Sequence, residues 1–195
     1  IYKMNIIGDI GNTITKIHIL DNNFKIKKKI SIKTKKISKN YLNSKMIFVN
    51  YKQEKINKIL FCSVVPNVFK KINSFFLKRY KKKCLELKNI EVDKYINIKV
   101  NKKEIGSDRL TNAFGVLNGK DNFIVIDLGT ATTFDVVHKK SYIGGIIAPG
   151  LETSLKNLTE KASLIPKIHF KKTKKVIGKT TLSSVRSGFY WGHIG

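Results

Sequence analysis

Apolar positions in the first twenty residues fall into two short runs. Ile6 and Ile7 lead to Asp9, a turn follows at Gly11-Asn12, and Ile14, Ile17, Ile19 and Leu20 resume the run beyond Lys16. This predicts strand, tight turn, strand. Helical spacing begins after Pro66, where Val68, Phe69, Ile72, Phe75, Phe76 and Arg79 share a face and Lys70, Lys71, Lys78, Lys81 and Lys82 fall largely elsewhere. A solvated Lys-rich outer face is favoured there over a binding stripe. Ser107 is placed to N-cap a helix carrying Leu110, Ala113, Phe114 and Leu117 on one side, with Asn118-Gly119 as its stop, so Asp108 and Arg109 belong to the first turn. Phe123 to Ile126 is a short β-branched run, followed by Asp127, Gly129 and a second apolar strand around Phe134 to Val137. Gly144-Gly145 and Pro149-Gly150 then punctuate the chain before Leu151, Leu155, Leu158 and Ala162 describe another helix, stopped ahead of Pro166.

One pattern occurs twice. Ile6-Ile7-Gly8-Asp9-Ile10-Gly11-Asn12-Thr13 and Ile124-Val125-Ile126-Asp127-Leu128-Gly129-Thr130-Ala131 each run apolar strand, Asp, apolar residue, Gly, small polar residue, and a new strand. The copies lie 118 residues apart, too far for a solenoid, so they predict two related α/β domains facing each other across a cleft. Asp and Gly in a single copy would be an ordinary β-turn. Two copies, with Thr130, Thr132 and Thr133 crowding the second, point to phosphate chemistry. A strand-end Asp holds a hydrated cation, Gly lets the backbone approach a phosphate, and hydroxyls and turn amides donate to its oxygens.

Charge first argues for a different function and then withdraws it. The 195 residues carry 39 Lys and Arg against 13 Asp and Glu, a formal +26. Yet 36 of those cations are Lys and three are Arg, and with 28 Ile and 17 Asn the composition follows AT-rich codons. Readers of base sequence rely on the planar Arg fork. The charge also avoids the motifs. Between Gly106 and Pro166 six basic residues meet six acidic ones, and the excess lies in clusters such as Lys27 to Lys29, Lys81 to Lys83 and Lys171 to Lys175. No specific nucleic-acid partner is expected. Cys62 and Cys84 stand 22 apart with no CxxC unit, so neither a disulfide framework nor a zinc site is indicated, and a reducing cytoplasm fits. No apolar run reaches membrane-spanning length. Gly178-Lys179-Thr180 ends like a Walker A motif, but Thr173 stands where the first Gly belongs, so a P-loop is rejected. His18, His138, His169 and His193 have no ligand spacing.

Five motifs in order resemble type III pantothenate kinase. They are Asp9-Ile10-Gly11-Asn12-Thr13 with Lys16; Gly106-Ser107-Asp108-Arg109-Leu110 with Asn112; Asp127-Leu128-Gly129-Thr130-Ala131-Thr132-Thr133; Gly144-Gly145-Ile146-Ile147-Ala148-Pro149-Gly150; and Ile177-Gly178-Lys179 with Thr181 and Ser187-Gly188. Ser63-Val64-Val65-Pro66 adds a weaker match. The resemblance implies the acetate and sugar kinase, Hsc70 and actin superfamily: duplicated ribonuclease H-like α/β domains with a cleft between them, here residues 1–105 and 106–195. It implies ATP-dependent phosphorylation of pantothenate, the first step of coenzyme A synthesis, by a cytoplasmic homodimer. By motif, Asp9, Ile10, Gly11, Asn12, Thr13, Ile14, Thr15 and Lys16 would contact ATP, with Asp9 near magnesium. Asp108 would be the base taking the pantothenate hydroxyl proton. Gly106, Ser107, Asp108, Arg109 and Thr181 would bind pantothenate, Arg109 at its carboxylate. Asp127 would hold a monovalent cation, potassium or ammonium, and Thr130 would meet the nucleotide.

The chain departs from the family in two places. Lys99-Val100-Asn101-Lys102-Lys103 replaces a stretch where the family carries a Tyr and then a Pro. Family chains continue past the segment ending at Gly195, so the second domain is expected to be C-terminally incomplete, as a fragment or a shortened enzyme. The opening Ile1, with Met4 just before the first strand, fits a fragment or a misplaced start. Two other readings use the same fold: a basic nucleic-acid-binding or regulatory accessory protein, and a catalytically decayed remnant.

Overall fold

The computed structural model describes residues 3–46 and 55–194, so Ile1 and Gly195 lie outside the described residues. The chain divides into two compact units, Ile1–Phe123 with Val137–Gly144, and Ile124–Val136 with Gly145–Gly195.

In the first unit the predicted hairpin forms β1 (Met4–Ile10) and β2 (Ile14–Leu20). A third strand, β3 (Ile26–Lys33), was not expected, because Lys27 to Lys29 hide an alternation that buries Ile30 and Ile32. After α1 (Lys39–Met46) come β4 (Ile56–Ser63), α2 (Pro66–Tyr80) and the short β5 (Leu85–Glu86). The sheet order is β3-β2-β1-β4-β5. The β1-β2 and β2-β3 pairs are antiparallel, and β1-β4 and β4-β5 are parallel.

Helix α2 forms where the spacing predicts. Pro66 opens it with a preset φ, Ile72, Phe75, Phe76 and Tyr80 turn inward, and Lys81 closes it in the left-handed conformation with its N–H on the Leu77 carbonyl. Its aromatic face meets Phe61 of β4, whose ring centre lies 6.0 Å from that of Phe76. Phe61 also explains Gly8: a Cβ there would sit 2.0 Å from Phe61 Cε1, so the bare backbone of β1 is what lets the ring lie against the sheet.

A second cluster in this unit gathers Val92, Ile96, Ile105, Leu110, Ala113, Val137 and Tyr142 around α3 (Ser107–Val116). The cap differs from expectation. Gly106, not Ser107, is the N-cap residue, and Ser107 begins the helix with its hydroxyl donated to Glu86. The short β6 (Asn97–Ile98) pairs in parallel with residues 141–142.

The second sheet has the order β6-β9-β8-β7, with β7 (Asn122–Leu128), β8 (Ala131–His138) and β9 (Ser141–Pro149). The second predicted hairpin is therefore present as β7 and β8. Gly144-Gly145 does not interrupt the chain as expected. Both residues run inside β9, Gly144 at a φ of 131° that glycine tolerates, which keeps the apolar run continuous. The second unit continues with α4 (Leu151–Lys161) and α5 (Thr181–Ile194). Among the described residues no helix is long and apolar enough to cross a membrane.

Candidate active site

In the first unit, strand register assembles the site. Asp9 near the end of β1 pairs with Lys16 on β2 and with Cys62 on β4. Because side chains alternate along a strand, Ile7 and Asp9, Lys16 and His18, and Leu60 and Cys62 share one face of the sheet. With Leu87 and with Thr111 of α3 they line a cavity of about 220 Å³. The hairpin tip is fastened from β3's end: Thr34 donates its N–H to the Thr13 carbonyl at 2.9 Å and its hydroxyl to the Gly11 carbonyl at 2.7 Å. Buried Thr15 shares a 3.0 Å hydrogen bond with Thr34, while the side chains of Asn12, Thr13 and Lys16 are exposed.

Helix α3 brings the other predicted carboxylate. Asp108 Oδ1 accepts the Arg109 N–H at 2.9 Å, and a Cβ on Gly106 would come within 2.3 Å of that oxygen. A side chain at position 106 would thus displace the Asp108 carboxylate from this orientation. Thr111 donates its hydroxyl to the Ser107 carbonyl at 2.7 Å, one turn back. Gly106 and Ser107 also meet Ser63, Val64 and Pro66 in a second cavity of about 450 Å³, so the Ser63-Val64-Val65-Pro66 motif and the Gly-x-Asp-Arg motif converge.

The Cys62 thiol reports the arrangement. Its Sγ lies 3.5 Å from Asp9 Oδ1 and 3.7 Å from the Gly8 carbonyl. Burial, reinforced by the negative charge of Asp9 and more weakly by that of Asp108, pushes the thiol up to about 12, with Thr111 acting in the opposite sense. Asp9 and Asp108, nearly a hundred residues apart in sequence, therefore act on one sulfur.

In the second unit the repeated hairpin is held by its own partners. Gly129 donates its N–H to the Ala131 carbonyl at 3.0 Å, and the Thr130 carbonyl accepts from the Gly150 N–H at 3.0 Å and from the Thr153 hydroxyl at 2.9 Å. A Cβ on Gly150 would fall 2.1 Å from the Gly129 carbonyl oxygen, which is the physical reason for glycine at that motif position. Asp127 and Thr130 are exposed at the hairpin's end. Thr132, Thr133 and Asp135 are buried, Asp135 fully, with the Thr133 hydroxyl 3.5 Å from its Oδ2. Thr181 opens α5 on the surface. Gly178 is packed so closely that a Cβ would lie 2.2 Å from the Ser184 nitrogen, and the Ser187 hydroxyl reaches back to the Lys175 and Val176 carbonyls.

These donors fit a phosphate-bound magnesium better than a caged metal. Among the described residues no three His, Cys, Asp or Glu side chains cluster as ligands. Magnesium bound by one or two carboxylates, water and substrate phosphates needs no such cluster, and the register pair Asp9 and Lys16 places one carboxylate beside one cation. Cys62, Thr111, Glu86 and Thr153 were not singled out from sequence. A motif search passes over them because contacts between distant segments, not local spacing, bring Cys62 and Thr111 to the first cavity and Glu86 to the second within the first unit, and Thr153 to the repeated hairpin within the second unit.

Comparison with known structures and sequences gives this arrangement its class. A crystal structure from Campylobacter jejuni, described as a candidate Baf family transcriptional activator, superposes with a TM-score of 0.58 at 17% identity, over 96% of this chain and 75% of that one. One from Sinorhizobium meliloti, described as a candidate 2-dehydro-3-deoxygalactonokinase, gives 0.53 at 11% identity, over 84% and 58%. At such identities the likeness is one of fold, a mixed α/β architecture with two sheets. The type III pantothenate kinase family pattern matches residues 5–195. The type III pantothenate kinase of Pelagibacter ubique (strain HTCC1062) is 55% identical over 98% of this chain and 77% of its own length. That of Sulfurihydrogenibium sp. (strain YO3AOP1) is 40% identical over 95% and 76%. The chain belongs to the type III pantothenate kinase family and spans about three quarters of the length of these relatives.

Proposed function

We propose that this chain transfers the γ-phosphoryl group of ATP to the primary hydroxyl of pantothenate, with Asp108 as the base. Family membership makes it a kinase of coenzyme A synthesis acting on small molecules, using ATP and a divalent metal. The observation that supports the assignment of residues is the cavity that Asp9, Lys16 and Cys62 share with Thr111 of α3, the helix whose first turn carries Asp108.

Phosphoryl transfer asks a protein chiefly to position and to neutralise. Asp9 would hold the magnesium, which when bound offsets phosphate charge. Ile10 to Thr15 would line the phosphates with backbone and hydroxyl donors, and Lys16 would pair with a phosphate oxygen. Asp108 would accept the hydroxyl proton as the new P–O bond forms, a task an ordinary carboxylate performs when the proton leaves late. Gly106, Ser107, Arg109 and Thr181 would bind pantothenate, Arg109 pairing with its carboxylate in the planar geometry that suits a guanidinium. In the repeated hairpin, Asp127 would hold potassium or ammonium and Thr130 would contact the nucleotide. The reading includes domains at 1–105 and 106–195, a homodimer and a cytoplasmic setting. The balanced charge between Gly106 and Pro166 supports a small-molecule site over a nucleic-acid surface.

Incubation with ATP, magnesium, potassium and labelled pantothenate should yield labelled phosphopantothenate. Asp108→Asn should lower kcat by roughly 10²- to 10⁴-fold, the usual worth of a general base, while leaving ATP affinity within about threefold. Turnover unchanged in Asp108→Asn would remove that residue from the base role.

A further inference from the structure

We infer that Cys62 is a positioning residue of the phosphoryl-transfer site, its thiol donating a hydrogen bond to Asp9 Oδ1 and fixing the orientation of that carboxylate. The inference rests on the assignment of Asp9 to the metal-bound phosphates.

Three observations carry it. Asp9 and Cys62 are register partners on parallel strands, so the backbone sets the pair facing the same way. The sulfur is 3.5 Å from Oδ1, within the range of an S–H···O bond, and nothing links it to the other cysteine, since Cys62 and Cys84 are both free. The residue is 8% exposed, so water does not readily replace it as a donor to this oxygen.

The thiol suits the position chemically. A carboxylate at a strand end can rotate about its last torsion, and a donor on the neighbouring strand restricts that rotation before any ligand arrives.

The test is a pair of variants. Cys62→Ala removes the donor, and Cys62→Ser keeps one of similar size. In steady-state kinetics, Cys62→Ala should raise the magnesium concentration for half-maximal rate about three- to tenfold and lower kcat/KM for ATP about tenfold, with KM for pantothenate unchanged. Cys62→Ser should return both to within about threefold of the wild type. A merely structural role would lower thermal stability without moving the magnesium dependence. Wild-type magnesium and ATP dependence in Cys62→Ala, or a Ser variant as impaired as the Ala one, would overturn the inference. If Cys62→Ala fails to fold, Cys62→Val fills the volume without a donor and carries the same expectation. If the wild type makes no phosphopantothenate, the functional reading fails by itself. Calorimetric titration with magnesium and ATP then tests Cys62 separately, with the same weakening expected in the variant and unchanged binding overturning the role.

Discussion

Burial sets the acid strength of both thiols, and Cys84 lets the consequence be measured away from the site. It is 8% exposed, its N–H is donated to the Asn73 side chain at 2.8 Å, and burial alone pushes its ionisation from 9.0 to about 12. Because the folded state favours the protonated form, this group's contribution to stability is intact below pH 9 and declines as pH rises from 9 towards 12, where only the unfolded chain ionises. Between pH 8 and pH 10 the wild type should lose about 1 kcal/mol relative to Cys84→Ala. Urea melts of the two proteins at both pH values check this, and a constant gap would show that the thiol titrates normally in the fold. At the residue scale the sequence is uneven in what it reveals. Asp9 and Asp108 stand out because each sits in a short motif with its own glycine. Cys62 does not, because its importance depends on a strand 53 residues away.

Elements were legible where one local period dominates. The face of α2 and the two Asp-x-Gly hairpins could be placed from spacing alone, since i, i+3, i+4 and alternating patterns follow from helix and strand geometry. β3 was hidden by its Lys run, and β9 by two glycines that normally signal a break. The junction of the second hairpin with α4 is where packing is tightest. Gly150→Ala would drive a methyl group to within 2.1 Å of the Gly129 carbonyl oxygen and 2.6 Å of that of Thr130, so either the helix start or the hairpin must move. A loss of about 2 kcal/mol is expected, the usual scale for overpacking. Gly188→Ala in α5 is the control: its Cβ would meet nothing within 4 Å, and alanine in a helix should be neutral or stabilising by up to about 1 kcal/mol. Denaturant unfolding of both variants checks the contrast, and equal behaviour would refute the packing account.

For the whole molecule the +26 charge remains, although it does not name a partner. An anionic nucleotide approaching so cationic a surface is drawn in by a field that salt screens, with a Debye length of about 10 Å at 0.1 M. Raising ionic strength from about 0.05 to about 0.3 M should therefore raise KM for ATP several-fold and leave kcat nearly constant. Activity assays across that range check it. A salt-independent KM would mean that the Lys clusters lie too far from the nucleotide path to matter.

By itself, the sequence determined the class of fold, the duplicated hairpin, the apolar face of α2 and the motifs of a pantothenate kinase. Each is written in neighbouring residues, and the geometry that reads it is local. Tertiary structure decided that Phe61 lies over Gly8, that Thr34 fastens the first hairpin, that Gly150 is wedged under the second, and that the Cys62 thiol faces Asp9. Those facts depend on the register between strands far apart in the chain. Register is fixed by burial of whole faces, and no short stretch of sequence carries it.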